Sequence, residues 1–167
     1  AMSRLDHNRV SAPSILIAIG ANLADSRGRA PLATCQAAVE ALRSLPGLHL
    51  ASVSRWHTTP PDPPSGQPDY CNGVARLEGH ADPAWLLARL HTIESRAGRV
   101  RSVPNAARTL DLDIIAIGPL LRTAPDPILP HPRAHLRRFV LAPLAEVAPG
   151  WVHPATGRTV EDLLAAL

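Results

Sequence analysis

An α+β domain with a ferredoxin-like core is the fold this sequence predicts, and three observations predict it. Short apolar runs alternate with helix-period stretches in the order β-α-β, β-α-β, before the chain breaks into shorter pieces after Gly118-Pro119. Each apolar run ends in turn chemistry, and each helical stretch ends at a glycine or a proline-glycine pair. Two β-α-β halves in tandem are the layout of a ferredoxin-like core. Many activities share that frame, so it decides no chemistry. The 167 residues are the size of one domain, assigned here to residues 14–167. Residues 1–13 lack hydrophobic periodicity and read as a disordered tail or an expression remnant.

The elements follow in order. Residues 14–19 (S-I-L-I-A-I) form a continuous apolar run, the pattern of a strand buried on both faces. A helix over about residues 27–45 places Leu32, Cys35, Val39 and Leu42 on one side and stops at Pro46-Gly47. Residues 48–57 read as a second strand. Residues 58–69 are crowded with prolines, which forbid regular structure and stiffen the loop into a spacer or a pocket wall. A strand over 70–78 sets Tyr70, Asn72, Val74 and Arg76 on one face and Cys71, Gly73, Ala75 and Leu77 on the other. Asp82-Pro83 caps a helix running to about Ala97, with Gly98 at its C-terminal end. After the next strand, residues 120–123 read as a short strand, and residues 132–140 as a helical turn or two leading into 141–147. Thr159 caps a closing helix.

Composition excludes several classes. No apolar window of about eighteen residues exists, so no membrane span is expected, and no secretory pattern stands at the start. Formal net charge is +3, and every side-chain cation is an arginine. Such a mild excess suits a small anionic substrate and no nucleic acid. An RNA-reading sheet would want exposed aromatics and basic residues; one strand tyrosine and an acidic strand argue against it. Cys35 and Cys71 make no disulfide framework and read as free thiols in a reducing, cytoplasmic setting.

The chemistry concentrates in R-T-L-D-L-D-I-I-A-I, residues 108–117. As a strand it puts Thr109, Asp111, Asp113, Ile115 and Ile117 on one face, with the two acids about 6.5 to 7 Å apart. Like charges side by side are costly to bury without a cation. Hard cations such as Mg²⁺ take carboxylate oxygens together with water and phosphate. Arg96, Arg99, Arg101 and Arg108 precede the pair, and His131, Arg133, His135, Arg137 and Arg138 follow it. Guanidinium forks suit phosphate oxygens. The plain alternative is a solvated D-x-D at a strand end. Taken on their own, Tyr70 and Phe139 read first as core aromatics, and Glu94 as a helix-surface charge or a support for Arg99.

Six motifs then stand in one order: I-G-A-N-L (19–23), T-T-P-P (58–61), Q-P-D-Y-C-N (67–72), I-E-S-R-A-G-R-V-R (93–101), R-T-L-D-L-D-I-I (108–115) and P-H-P-R-A-H-L-R-R-F-V-L-A-P-L (130–144). Together they resemble the 6-hydroxymethyl-7,8-dihydropterin pyrophosphokinase family over residues 15–150. The resemblance implies a three-layer αβα form of the core and a monomer. It implies pyrophosphate transfer from MgATP to the hydroxymethyl group of the reduced pterin, releasing AMP. ATP is then the co-substrate, and Asp111 and Asp113 hold two Mg²⁺ ions. Arg99, Arg101, Arg108, Ile114, His131 and Arg137 belong with the nucleotide, Arg99 and Arg101 acting catalytically. Thr59, Pro60, Pro61, Asp62, Tyr70, Asn72 and Phe139 belong with the pterin, the two rings sandwiching it. The chain departs from the family pattern in residues 102–107, which lack the usual Arg-Trp pair, at Asp62, and at Pro132.

Overall fold

Five strands, every pairing antiparallel, form the sheet: β1 (Ser14–Ala21), β2 (Leu48–Val53), β3 (His57–Thr59), β4 (Tyr70–Gly79) and β5 (Asp111–Ile117). The computed structural model describes residues 13–22, 30–60, 64, 69–98 and 109–167. Residues 1–12, where a tail was expected, lie outside that set. The strand order is β2-β4-β1-β5, and β3 continues along the β4 edge that β2 occupies. β1 and β2 both run antiparallel to β4 and so parallel to each other; β4 and β5 are related likewise through β1. This is the ferredoxin-like arrangement expected from two β-α-β halves.

Helices cover both faces, making three layers. On one face α1 (Pro31–Arg43) and α2 (Pro83–Arg96) pack on Ile15, Ile17, Ile19, Leu77, Leu112 and Ile114. On the other, α3 (Arg138–Val147) and α4 (Val160–Ala165) pack on Leu16, Val74, Ile115 and Ala116. The alternation in β1 feeds both cores, which is why its sequence is apolar throughout. Each fully buried aliphatic side chain contributes about 1.5–3 kcal/mol. Asp82 accepts from the Trp85 N–H at 3.0 Å, and Thr159 from the Asp162 N–H at 3.1 Å, so both expected caps are present. Cys35 and Cys71 are free and buried, and burial pushes both thiols up, away from nucleophilic use. Among the described residues no helix is long and apolar enough to cross a membrane.

The structure corrects several readings. Leu32 is exposed; α1 buries Thr34, Cys35, Ala38, Val39 and Leu42 instead. The single strand expected over 48–57 is broken at Ser54, whose hydroxyl takes the Val74 N–H at 2.9 Å, before the chain resumes as β3. Residues 120–123 form only an isolated bridge, Arg122 with Leu129. Residues 134–136 make one 3₁₀ turn and α3 begins at Arg138, with Pro143 inside it; prolines hid this helix from a propensity reading.

The largest correction is in β5. Ile17 pairs with Ile114 and Leu16 with Ala116, so Ile115 is an extra residue in a β-bulge. Asp111, Asp113 and Ile115 keep their shared face, but Ile117 crosses to the α1–α2 core.

Gly73 shows how tightly the α1–α2 face is filled. A Cβ there would stand 2.6 Å from the Trp56 ring. Gly73→Ala is therefore expected to destabilise the fold by about 1–3 kcal/mol, the scale of overpacking. Chemical denaturation measures it; an unchanged midpoint would mean that Trp56 is not held against the strand.

Candidate active site

The site lies where β4, β1 and β5 turn the same face toward α3. Gly20 of β1 pairs with Asn72 on one side and Asp111 on the other; Ala18 likewise pairs with Val74 and Asp113. Two cross-strand rows result, Asn72–Gly20–Asp111 and Val74–Ala18–Asp113. The β1 residues are the smallest available, so the sheet has a shallow trough between Asn72 and the acid pair. The trough leaves little slack, since a Cβ on Gly20 would lie 3.0 Å from Asn72 Oδ1.

The bulge brings in the next residue. The Ile115 carbonyl accepts from the His131 backbone N–H at 2.8 Å, tying the 130s segment to β5. His131 Nε2 then stands 4.0 Å from Asp113 Oδ2. Its Nδ1 accepts from the Arg133 N–H at 3.1 Å, which places the proton of the neutral ring on Nε2, toward the acid. Burial holds the His131 pKa below the usual histidine range, reinforced by Arg137 and opposed by Asp111. Asp113, His131 and Arg137 line a shallow open cleft floored by Ala18 and Ile115. The Arg137 guanidinium also lies 5.7 Å from the Phe139 ring centre, within cation–π range.

The Asn72 end is equally built. Its Nδ2 donates to Thr59 Oγ1 at 2.9 Å, leaving the amide oxygen turned toward Gly20. Tyr70 opens β4 on the same face, half-buried, and Phe139 stands at the start of α3 with 40% of its surface exposed. An aromatic so exposed is not a core residue.

Most of the expected residues that are described gather here: Asp111, Asp113, His131, Arg137, Thr59, Asn72, Tyr70 and Phe139. Pro60 follows Thr59 at the end of β3. Ile114 does not join them through its side chain, which is 4% exposed in the α1–α2 core. Arg99, Arg101, Arg108, Pro61 and Asp62 lie outside the described residues. The donor set fits magnesium: two hard carboxylates on one face, Asp113 partly exposed, beside a cleft open to solvent. Among the described residues no group of three metal-ligating side chains forms. Mg²⁺ shared with phosphates needs only one or two protein carboxylates.

Sequence reasoning missed Gly20 and Ala18, although both stand in or beside the I-G-A-N run. It also left Glu146 and His57 unread. Glu146, on α3, accepts from the Arg55 N–H at 2.8 Å and pairs with His57, clamping the start of β3. No periodicity announces such a contact.

Comparison with known proteins matches residues 16–149 to the family 7,8-dihydro-6-hydroxymethylpterin-pyrophosphokinase (HPPK). The chain belongs to this family. The chain is 41% identical over 152 residues to a 2-amino-4-hydroxy-6-hydroxymethyldihydropteridine pyrophosphokinase of Pseudomonas aeruginosa, covering 91% of this chain and 90% of the relative. The protein of the same name from Haemophilus influenzae is 38% identical, covering 83% of each. The folic acid synthesis protein fol1 of Pneumocystis carinii is 30% identical over 153 residues, only 20% of its length.

In this pyrophosphokinase Glu146 couples the clamp on β3 to pH. Burial works to raise its carboxyl, but hydrogen bonds from the Arg55 N–H and His57 outweigh it and hold the carboxyl below its ordinary 4.5. A lowered carboxylate stabilises the fold fully above its unfolded value and loses that contribution as pH falls through the folded one. The melting-temperature gap between wild type and Glu146→Gln should therefore be widest near neutrality and close as pH falls below 4.5 and through the lowered folded value. A gap independent of pH would mean the clamp does not depend on the carboxylate charge.

Proposed function

We propose that this chain transfers a pyrophosphoryl group from ATP to the hydroxymethyl oxygen of 6-hydroxymethyl-7,8-dihydropterin, a step of folate synthesis. The observation that carries this reading is the Asn72–Gly20–Asp111 row. It sets an amide suited to a heterocycle's polar edge one strand width from each side of a side-chain-free floor, with the acid pair beyond. Strands stand about 4.8 Å apart, so a bicyclic ring reading Asn72 would carry its hydroxymethyl arm toward the acids. Tyr70 and Phe139 are assigned to the two faces of the ring, and Thr59 and Pro60, with Pro61 and Asp62, to the wall.

Asp111 and Asp113 are assigned to two Mg²⁺ ions, which when bound would offset the roughly four negative charges of ATP. The hydroxymethyl oxygen bonds to the β-phosphorus while the bond from that phosphorus to the bridging oxygen of the α-phosphate breaks. The electron pair leaves on AMP and the hydroxyl proton passes to solvent. Such transfers need positioning and charge neutralisation more than a protein nucleophile. The neutral His131 Nε2–H is a donor for a phosphate oxygen, and Arg137 a fork for another. Ile114 can meet the adenine only through its backbone, which by strand alternation points, with the Leu112 N–H, away from β1. Arg99, Arg101 and Arg108 are assigned to the phosphates, the first two acting catalytically on the charge that develops there. The buried free thiols support a reducing, cytoplasmic setting.

The test is formation of AMP from ATP, dependent on both Mg²⁺ and the reduced pterin. Asp111→Asn or Asp113→Asn should cut it by at least about a hundredfold, the scale of losing a metal or charge-stabilising contact. Near-normal turnover in both variants would remove the metal assignment. For the pterin, ring stacking contributes about 0.5–1.5 kcal/mol beyond area burial. Phe139→Ala should weaken pterin binding roughly tenfold, with nucleotide affinity changed much less, as read by calorimetric titration. Equal losses for both ligands would deny Phe139 a place against the pterin.

A further inference from the structure

We propose that Glu94 is a positioning residue for the acid pair, holding β5 at the one backbone group between Asp111 and Asp113. The inference rests on the metal reading of that pair. Among the described residues β5 is an edge strand, with β1 as its one neighbour in the sheet. Its Leu112 N–H points away from β1, into space covered by α2, where no strand can accept from it. A buried backbone N–H without a partner is costly. Glu94, near the C-terminal end of α2, supplies the acceptor: its Oε2 takes the Leu112 N–H at 2.7 Å.

The cost of this arrangement says what it does. Glu94 is 0% exposed, and burying a carboxylate is among the most expensive things a fold can do. A glutamine, a serine or an ordered water could satisfy one N–H more cheaply. A carboxylate makes a shorter and stronger bond than a neutral acceptor. Strength matters here because two like charges share one face of the strand, and an edge strand can yield by peeling. The β1 ladder holds β5 from one side, with Ile19 opposite Leu112, and Glu94 holds it from the other. Between these two anchors the acids on the opposite face keep their spacing. The carboxylate itself stays behind the strand and out of the cleft, so it acts through Leu112 and not on substrate.

The test uses the full chain and has three arms. In the wild-type protein the Leu112 amide proton should lie downfield of other β5 amides by NMR and move upfield in Glu94→Gln. An ordinary shift, unchanged in the variant, overturns the proposal at its first step and needs no metal. Calorimetry with Mg²⁺ and a non-hydrolysable ATP analogue supplies the second arm. Glu94→Leu should lose about ten- to a hundredfold in Mg²⁺-nucleotide affinity, the usual cost of removing a group that orients metal ligands. Pterin binding should change less than about threefold, because Asn72, Thr59 and Phe139 do not touch β5 through Glu94. Glu94→Gln, which keeps a weaker, neutral acceptor, should recover part of the loss. Should Glu94→Gln be as poor as Glu94→Leu, the bond to the Leu112 N–H is not what holds the acids, and the proposal is wrong; unchanged affinity in Glu94→Leu is equally fatal to it. The third arm is Asp113→Asn: if that variant keeps Mg²⁺-nucleotide affinity, the metal reading itself has failed, whatever the Glu94 variants do. If Glu94→Leu does not fold, the amide shift and Glu94→Gln still decide.

Discussion

The pairing of β5 with β1 is the constraint on which the site depends. β5 carries two carboxylates on one face and, among the described residues, pairs with β1 alone, so that ladder sets where those carboxylates point. Small residues of β1 make that pairing useful. Gly20 and Ala18 keep the ground clear between the acids and Asn72, and any larger side chain there would fill the trough. The same strand turns Ile15, Ile17 and Ile19 into the opposite core. One segment is therefore both the spine of the hydrophobic core and the floor of the site, which couples the position of the acids to the best-packed part of the fold.

The bulge at Ile115 is the second device. A regular strand would have carried Ile117 to the α3 side and left the Ile115 carbonyl in the β1 ladder's alternation. The extra residue frees that carbonyl to accept from His131, and it pushes Ile115 into the floor of the cleft. A segment rich in proline, with little regular structure of its own, is thereby fastened beside Asp113. From there the chain enters α3, which presents Arg137 and Phe139 at its start and Glu146 near its end. Glu146 reaches across to β3 and steadies the strand whose Thr59 orients Asn72. Both ends of the trough are thus tied through α3, a helix that covers the sheet and also spans the site.

Charge is distributed with similar economy. The acids face arginine and histidine on the α3 side, while Glu94 sits buried on the other side of the strand, accepting from the Leu112 N–H. A carboxylate so placed adds no competing ligand in the cleft. Sequence reading could treat Glu94 only as a surface charge or a support for Arg99, because helix periodicity puts it beside exposed neighbours and gives no sign of an unpaired N–H on a distant strand.

What the sequence alone determined is what local pattern can encode. The two β-α-β halves, the caps at Asp82 and Thr159, the shared face of Asp111 and Asp113, and the family resemblance all rest on spacing along the chain. Spacing is preserved on folding because strand and helix periods are set by backbone sterics. What only the tertiary structure decided depends on which strands become neighbours. The Asn72–Gly20–Asp111 row joins residues from three strands; the Ile115 bulge exists only relative to β1; and Glu94 is buried only because α2 lies over a strand edge. Register between distant segments is chosen by the collective burial of both faces of the sheet, and no single stretch of sequence carries that choice.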